Sequence, residues 1–186
     1  MANTCCIDIV ILGEKKDLDF LNDKFRPDIS ESEFLRAIGV NGDFDDYELR
    51  GYIDFCEHDE DQNALKMYIC HAWSPCYDFM DLIRSRFDIT IYYYAEEFGC
   101  GVVETNDFEG EWFPQRYVIN SDLLDECIYI EDDKELSKVL KKEFNIDIPE
   151  KDLNLKGKLN EVEEKLNTFA EEKGGFISLY KVKLEA

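Results

Sequence analysis

Apolar residues along this chain follow two spacings. Residues 5–12, Cys5-Cys6-Ile7-Asp8-Ile9-Val10-Ile11-Leu12, form a nearly unbroken apolar run ended by Gly13. Such a run, bounded by a turn residue, predicts a buried strand. The period then changes: Leu18, Leu21 and Phe25 lie three and four apart, on one face of a short helix that stops before Pro27. Ser30 with Glu33 is a capping-box pattern opening a second helix with Phe34, Leu35 and Ile38, and Gly39 closes it. After a polar loop over 41–49, residues 52–56 and 64–73 read as two strands around a carboxylate-rich turn.

Ser74 and Pro75 then predict a helix start, with serine as N-cap and proline at the first helical position, where its missing N–H costs nothing. On this reading Trp73 fills the core at the preceding strand's end. Cys76, Phe79, Met80, Ile83 and Phe87 continue at helical spacing. Further strands are predicted over 89–95, around 102–104 and over 116–119. Asp132 and Glu135 open a helix carrying Leu136, Val139, Leu140 and Phe144. Leu155, Leu159, Val162, Leu166 and Phe169 form an amphipathic stripe too short for a coiled coil, so intramolecular packing is expected. Gly174-Gly175 ends that helix and 176–184 reads as a last strand.

The 186 residues are 45% apolar and 13% aromatic, enough for a core and unlike a disordered acidic tail. No apolar run approaches the ~20 residues of a membrane span, and the first residues lack a basic, cleavable leader. No membrane partner and a cytoplasmic location are expected. Seven cysteines, an odd number partly inside apolar runs, suit free thiols in a reducing compartment.

Charge changes the picture most. The chain has 43 acidic and 21 basic residues, a net charge of −22. Residues 136–186 carry ten of each, so residues 1–135 hold 33 acidic against 11 basic. The expected organisation is an acidic domain over 1–135 and a charge-neutral helix-and-strand extension over 136–186, packed on the first. An acidic surface repels nucleic acid and anionic membranes and attracts basic surfaces, and direct nucleic-acid binding needs more Lys and Arg than 1–135 offer. Solubility alone is the competing account of the same charge.

Candidate chemistry is thin. Only His58 and His71 could serve a nucleophile as base, and His71, beside Cys70 in a strand, points away from that cysteine. Cys5-Cys6 and Cys70-x5-Cys76 are poor zinc spacings. The turn Asp59-Glu60-Asp61-Gln62-Asn63 lacks the glycine and glutamate of a calcium loop. Gly99-Cys100-Gly101 lacks the rest of a phosphate loop. No catalytic residue, metal site or cofactor is assigned, although the many carboxylates leave a hydrolytic or divalent-metal role open.

Three segments resemble the YubB domain family, plasmid- and phage-borne proteins of unknown function. They are Asn3-Thr4-Cys5 with its strand and Gly13, then Ala72-Trp73-Ser74-Pro75 between a strand and a helix, and Tyr92-Tyr93-Tyr94 followed by Glu97, Gly99 and Gly101. The resemblance covers roughly residues 1–120. It implies an α+β fold, a ferredoxin-like antiparallel sheet with helices packed on one face, here with a C-terminal helix-strand extension. It also implies a mobile-element origin, and no reaction.

Resemblance and segregated charge together lead to an expectation. The chain is a mobile-element inhibitor, a nucleic-acid mimic that blocks a basic nucleic-acid-binding defence protein such as a CRISPR or restriction nuclease. The expected partner-binding residues are Asp43, Asp45 and Asp46; Glu57, Asp59, Glu60 and Asp61; and Glu96, Glu97, Asp107, Glu109, Glu111 and Trp112. No Lys or Arg occurs between Arg86 and Arg116, and the aromatics there suit an interface or the sheet core. A carboxylate-using, metal-dependent hydrolase and a generic acidic accessory protein are the alternatives. The sequence leaves oligomeric state open.

Overall fold

The structure is a computed structural model that describes residues 3–185. In chain order the elements are β1 (Thr4–Leu12), α1 (Lys15–Asp23), β2 (Ile29–Ser30), α2 (Glu31–Ala37), β3 (Tyr52–Asp59), β4 (Ala64–Ala72), α3 (Tyr77–Arg84), β5 (Thr90–Glu97) and β6 (Val102–Thr105). There follow β7 (Tyr117–Ser121), β8 (Ile128–Ile130), α4 (Asp133–Phe144), α5 (Glu150–Leu153), α6 (Lys158–Lys173), β9 (Ile177–Lys181) and β10 (Lys183–Leu184). The class is α+β with antiparallel pairing in both sheets.

The chain divides into two compact units, the first Met1–Phe113 with Leu184–Ala186, the second Pro114–Lys183. The division therefore falls before β7, not at residue 135. The charge change at 135 coincides with the start of α4, but β7 and β8 ahead of it pair with each other and with β9, so they belong to the later unit. Unit 1 holds 27 of the 43 acidic residues and 9 of the 21 basic ones, so most of the charge excess lies there.

In unit 1 the sheet order is β10-β6-β5-β1-β4-β3-β2. Strand side chains alternate between faces, and one face of this sheet carries most of the core of unit 1, with His71 and Glu104 as buried polar members. Cys5, Ile7, Ile9 and Ile11 of β1 join Leu65, Met67 and Ile69 of β4, Ile53 of β3 and Ile91, Tyr93 and Ala95 of β5. Leu18 and Leu21 of α1, Phe34 and Leu35 of α2, and Phe79, Met80 and Ile83 of α3 complete that core. Unit 2 packs α4, α5 and α6 on a β8-β7-β9 sheet through residues that include Tyr117, Ile119, Leu136, Leu140, Val162 and Leu166. Among the described residues no helix is long and apolar enough to cross a membrane.

Local signals explain several boundaries. The Ser30 side chain accepts from Glu33 N–H, and the Glu33 carboxylate accepts from Ser30 N–H, which completes the capping box of α2. Asp132 caps α4 by accepting from Glu135 N–H at 2.7 Å. Gly39 and Gly174, with φ of +84° and +77°, follow α2 and α6 in the left-handed conformation glycine favours.

Two expectations are corrected. Trp73 does not fill the core: it is 50% exposed, with φ of 67°. The helix after it starts at Tyr77 with Cys76, not Ser74, in the N-cap position. The chain reverses sharply after β4, and the Ser74 carbonyl is taken by the His71 ring at 2.7 Å, so the helix begins only beyond Pro75. Leu155 is the other correction. It lies outside α6 and is exposed, because α5 ends at Leu153 and the stripe that packs is Leu159, Val162, Leu166 and Phe169.

Candidate functional site

Unit 1 brings titratable groups together in three places. The first is buried. Glu31 opens α2 and His71 ends β4; both are essentially inaccessible, and Glu31 Oε2 lies 3.7 Å from His71 Nε2. Gly51 N–H donates to Glu31 Oε2 at 2.9 Å. The imidazole spans two carbonyls, Nδ1 to Ser74 at 2.7 Å and Nε2 to Glu48 at 3.0 Å, and Arg50 N–H also approaches Nε2 at 3.3 Å. Burial pushes the Glu31 carboxyl up to about 7, outweighing the pull of His71 and the Gly51 N–H. Among the described residues Glu31 Oε1 has no hydrogen-bond partner.

Strand register places Cys5 directly opposite His71, a pairing the sequence could not supply. Cys76 lies close enough to Glu31 and Cys5 for both to raise its pKa, after burial, the main cause. Burial pushes the Cys5 thiol up to about 12. A thiolate is the nucleophile, so these thiols are poor ones at neutral pH, and the His71 ring is already committed to backbone carbonyls. The geometry describes a polar clamp that ties the 48–51 loop and the start of α3 to β4.

The second place is the rim of carboxylates expected to meet a partner. Asp43, Asp45 and Asp46 are exposed around Phe44, which is buried beneath Arg36. Glu57, Asp61, Glu109 and Glu111 are exposed as well. Asp59 and Glu60 hold Lys66 at 2.8 Å and Lys15 at 2.7 Å, and both carboxyls sit below their usual range, chiefly from those hydrogen bonds. Glu96 is half-buried on the sheet.

Glu97 and Asp107 are turned inward, which removes them from any contact surface. Glu97 accepts from Gly99 N–H at 3.0 Å and from Cys100 N–H. Asp107 is 1% exposed and accepts from the N–H groups of Gly110, Trp112 and Phe113 at 2.9, 2.7 and 2.9 Å. Burial alone raises its pKa, but the backbone donors prevail and hold it low. Both carboxylates build turns. Glu104, also buried, receives the hydroxyls of Tyr77 and Tyr93, the second at 3.1 Å.

The acidic runs do not form one patch by adjacency. Glu48, at the end of the first loop, reaches His71 at one end of β4, while Asp59 pairs with Ala64 at the other. That separation is on the order of 25 Å at about 3.3 Å per strand residue.

The third place is the sheet face opposite α1–α3. Strand registers lay it out in rows. Cys6 sits between Cys70 and Glu96; Asp8 between Tyr68 and Tyr94; Val10 between Lys66 and Tyr92. A shift in β3 between Ile53 and Phe55 brings Phe55 opposite Tyr68; Phe55 is 46% exposed. The segment after β6 folds back here, and Phe113 stacks on Tyr94 with centroids 6.1 Å apart. A hollow of ≈ 730 Å³ results, walled by Phe55, Tyr68, Trp112 and Phe113, with Asp8 in its floor and Glu111 at its edge. Among the described residues the buried Trp112 indole N–H has no hydrogen-bond partner.

Sequence reasoning named Glu111 and Trp112 but missed Asp8, Phe55 and Tyr68. Asp8 had a signal, being the one charged residue inside the apolar run 5–12; Phe55 had none, because only the β3 irregularity turns it outward. Among the described residues no three His, Cys, Asp or Glu side chains converge as a metal site. No family model, curated protein or solved structure matches the chain.

Proposed function

We propose that this chain is a binding protein whose acidic unit occupies a basic, nucleic-acid-binding partner in place of nucleic acid. The observation that carries the reading is the set of exposed carboxylates in unit 1, Asp43, Asp45, Asp46, Glu57, Asp61, Glu109 and Glu111, for none of which is a salt bridge present among the described residues. Uncompensated charge of one sign steers an opposite charge at long range. An inhibitor of a nuclease, encoded by a mobile element, is the form of this proposal that the YubB resemblance favours. The ferredoxin-like reading belongs with it, supported by the antiparallel order β5-β1-β4-β3 with α1, α2 and α3 on one face.

The test is displacement of labelled DNA or RNA guide complexes from purified restriction and CRISPR nucleases, at two salt concentrations. The chain should displace nucleic acid from its target and do so less well as salt shortens the Debye length from ~10 Å at 0.1 M to ~3 Å at 1 M. Converting Asp43, Asp45 and Asp46 together to Asn should slow association in steps, because each exposed pair contributes only ~0.2–1 kcal/mol. Failure to displace nucleic acid from any target, or one substitution outweighing every grouped one, refutes the reading and favours an enzyme.

A further inference from the structure

The hollow on the open face of the unit 1 sheet has a composition of its own. Phe55, Tyr68, Trp112 and Phe113 give it aromatic walls, its floor holds one carboxylate, and its lysine is already taken: Lys66 Nζ is 2.8 Å from Asp59. Asp8 has no hydrogen-bond or ion-pair partner among the described residues. It reaches solvent, yet its surroundings desolvate it, so burial first and Glu96 second raise its pKa. A carboxylate so placed lacks a counter-charge, and aromatic faces attract cations that also meet a carboxylate.

Resting on the reading of a basic partner, we propose that this hollow is a docking site for an arginine side chain of that partner, with the guanidinium paired to Asp8 and stacked between Phe55, Tyr68 and Trp112. Charge complementarity selects the occupant. The face carries Asp8, Glu96, Glu57 and Glu111 around its aromatics, so a phosphate backbone, which exposed aromatics on a sheet otherwise suit, is repelled. Arginine is favoured over lysine because its planar group stacks on rings and pairs with a carboxylate through two parallel N–H donors. The site makes the acidic unit more than a diffuse field, since it supplies one short-range anchor inside it.

The test measures calorimetric affinity of the whole chain for a synthetic peptide of alternating arginine and glycine, a lysine–glycine peptide of equal length and charge, and polyuridylate. The arginine peptide should bind several-fold tighter than the lysine peptide, and polyuridylate should not compete. Asp8→Asn and Phe55→Ala, each at a solvent-reaching position and checked for folding by circular dichroism, should weaken the arginine peptide about tenfold and level the two peptides. D43N/D45N/D46N should weaken both peptides alike. Equal affinity of wild type, D8N and F55A for the arginine peptide overturns the site. If the triple change still weakens both peptides in that case, the broader acidic-surface reading survives; if neither peptide binds wild type, both fall. Polyuridylate binding tighter than the peptide overturns the site in favour of a nucleic-acid face.

Discussion

Replacing Glu31 by glutamine isolates what the buried clamp does to stability. In the folded chain burial lifts the Glu31 pKa from 4.5 to about 7; unfolding restores the ordinary value. Below the lower pKa the residue is protonated in both states. Between the two, the folded state keeps a proton that the unfolded state releases, so raising the pH favours unfolding. The stabilisation is complete below the unfolded pKa and lost as pH rises through about 7. The separation amounts to roughly 3 kcal/mol at ~1.4 kcal/mol per pH unit, most of it falling between pH 5 and pH 8. Glutamine keeps the acceptor for Gly51 N–H and cannot ionise. Urea unfolding of both proteins at the two pH values supplies the comparison. Any constant offset from the amide cancels, as do the carboxylates remote from Glu31. Glu31→Gln should gain roughly 2–3 kcal/mol relative to wild type between pH 5 and pH 8. Parallel profiles, within ~0.5 kcal/mol, would show that Glu31 ionises as easily inside as outside and refute the burial argument.

Other outcomes follow from particular side chains. Leu166→Ala should cost ~2–5 kcal/mol in urea unfolding, because Leu166 is wholly buried in unit 2, while Leu155→Ala should stay within ~0.5 kcal/mol. All seven thiols should titrate in denaturant without reductant, and in the native protein exposed Cys100 should react first and buried Cys5 and Cys76 last. Mild oxidation by diamide, which takes up the two hydrogens of a thiol pair, should link Cys6 to Cys70. Trp73 N–H bonds to the Asn3 carbonyl one residue past the end of the β1–β4 ladder, so by alternation Cys6 and Cys70 form a non-hydrogen-bonded pair, where side chains approach most closely. A peptide map showing any other link would contradict that register.

Signals confined to a few residues were legible in the sequence. The Ser30–Glu33 box, the Asp132 cap and the glycines after α2 and α6 act over one helical turn, and the structure keeps each of them. The run 5–12 announced a buried strand, of which the structure buries mainly one face, and only register could pair Cys5 with His71 and Cys6 with Cys70. Trp73-Ser74-Pro75 misled because each residue suits a helix start locally, while a contact from His71 fixes the loop instead. Glu97 and Asp107 look like their exposed acidic neighbours in sequence; they differ only in having backbone N–H groups of their own turns to accept. The hollow was invisible because four separate segments line it.

The return of the chain to unit 1 decides how the molecule should be cut. Leu184 pairs in β10 at the edge of β6, and Glu185 N–H reaches the Thr105 carbonyl at 2.9 Å. Unit 2 is thus an insertion between β6 and its neighbour. A fragment ending at residue 135, where the charge changes, would strip β6 of that neighbour and leave β7 and β8 without β9. Open strand edges of this kind recruit other chains, so such a fragment should aggregate on expression. Excising 114–183 and rejoining Phe113 to Leu184 through a flexible linker keeps every strand of the seven-stranded sheet except Lys183 of β10, and is the route to an acidic unit that can be studied alone.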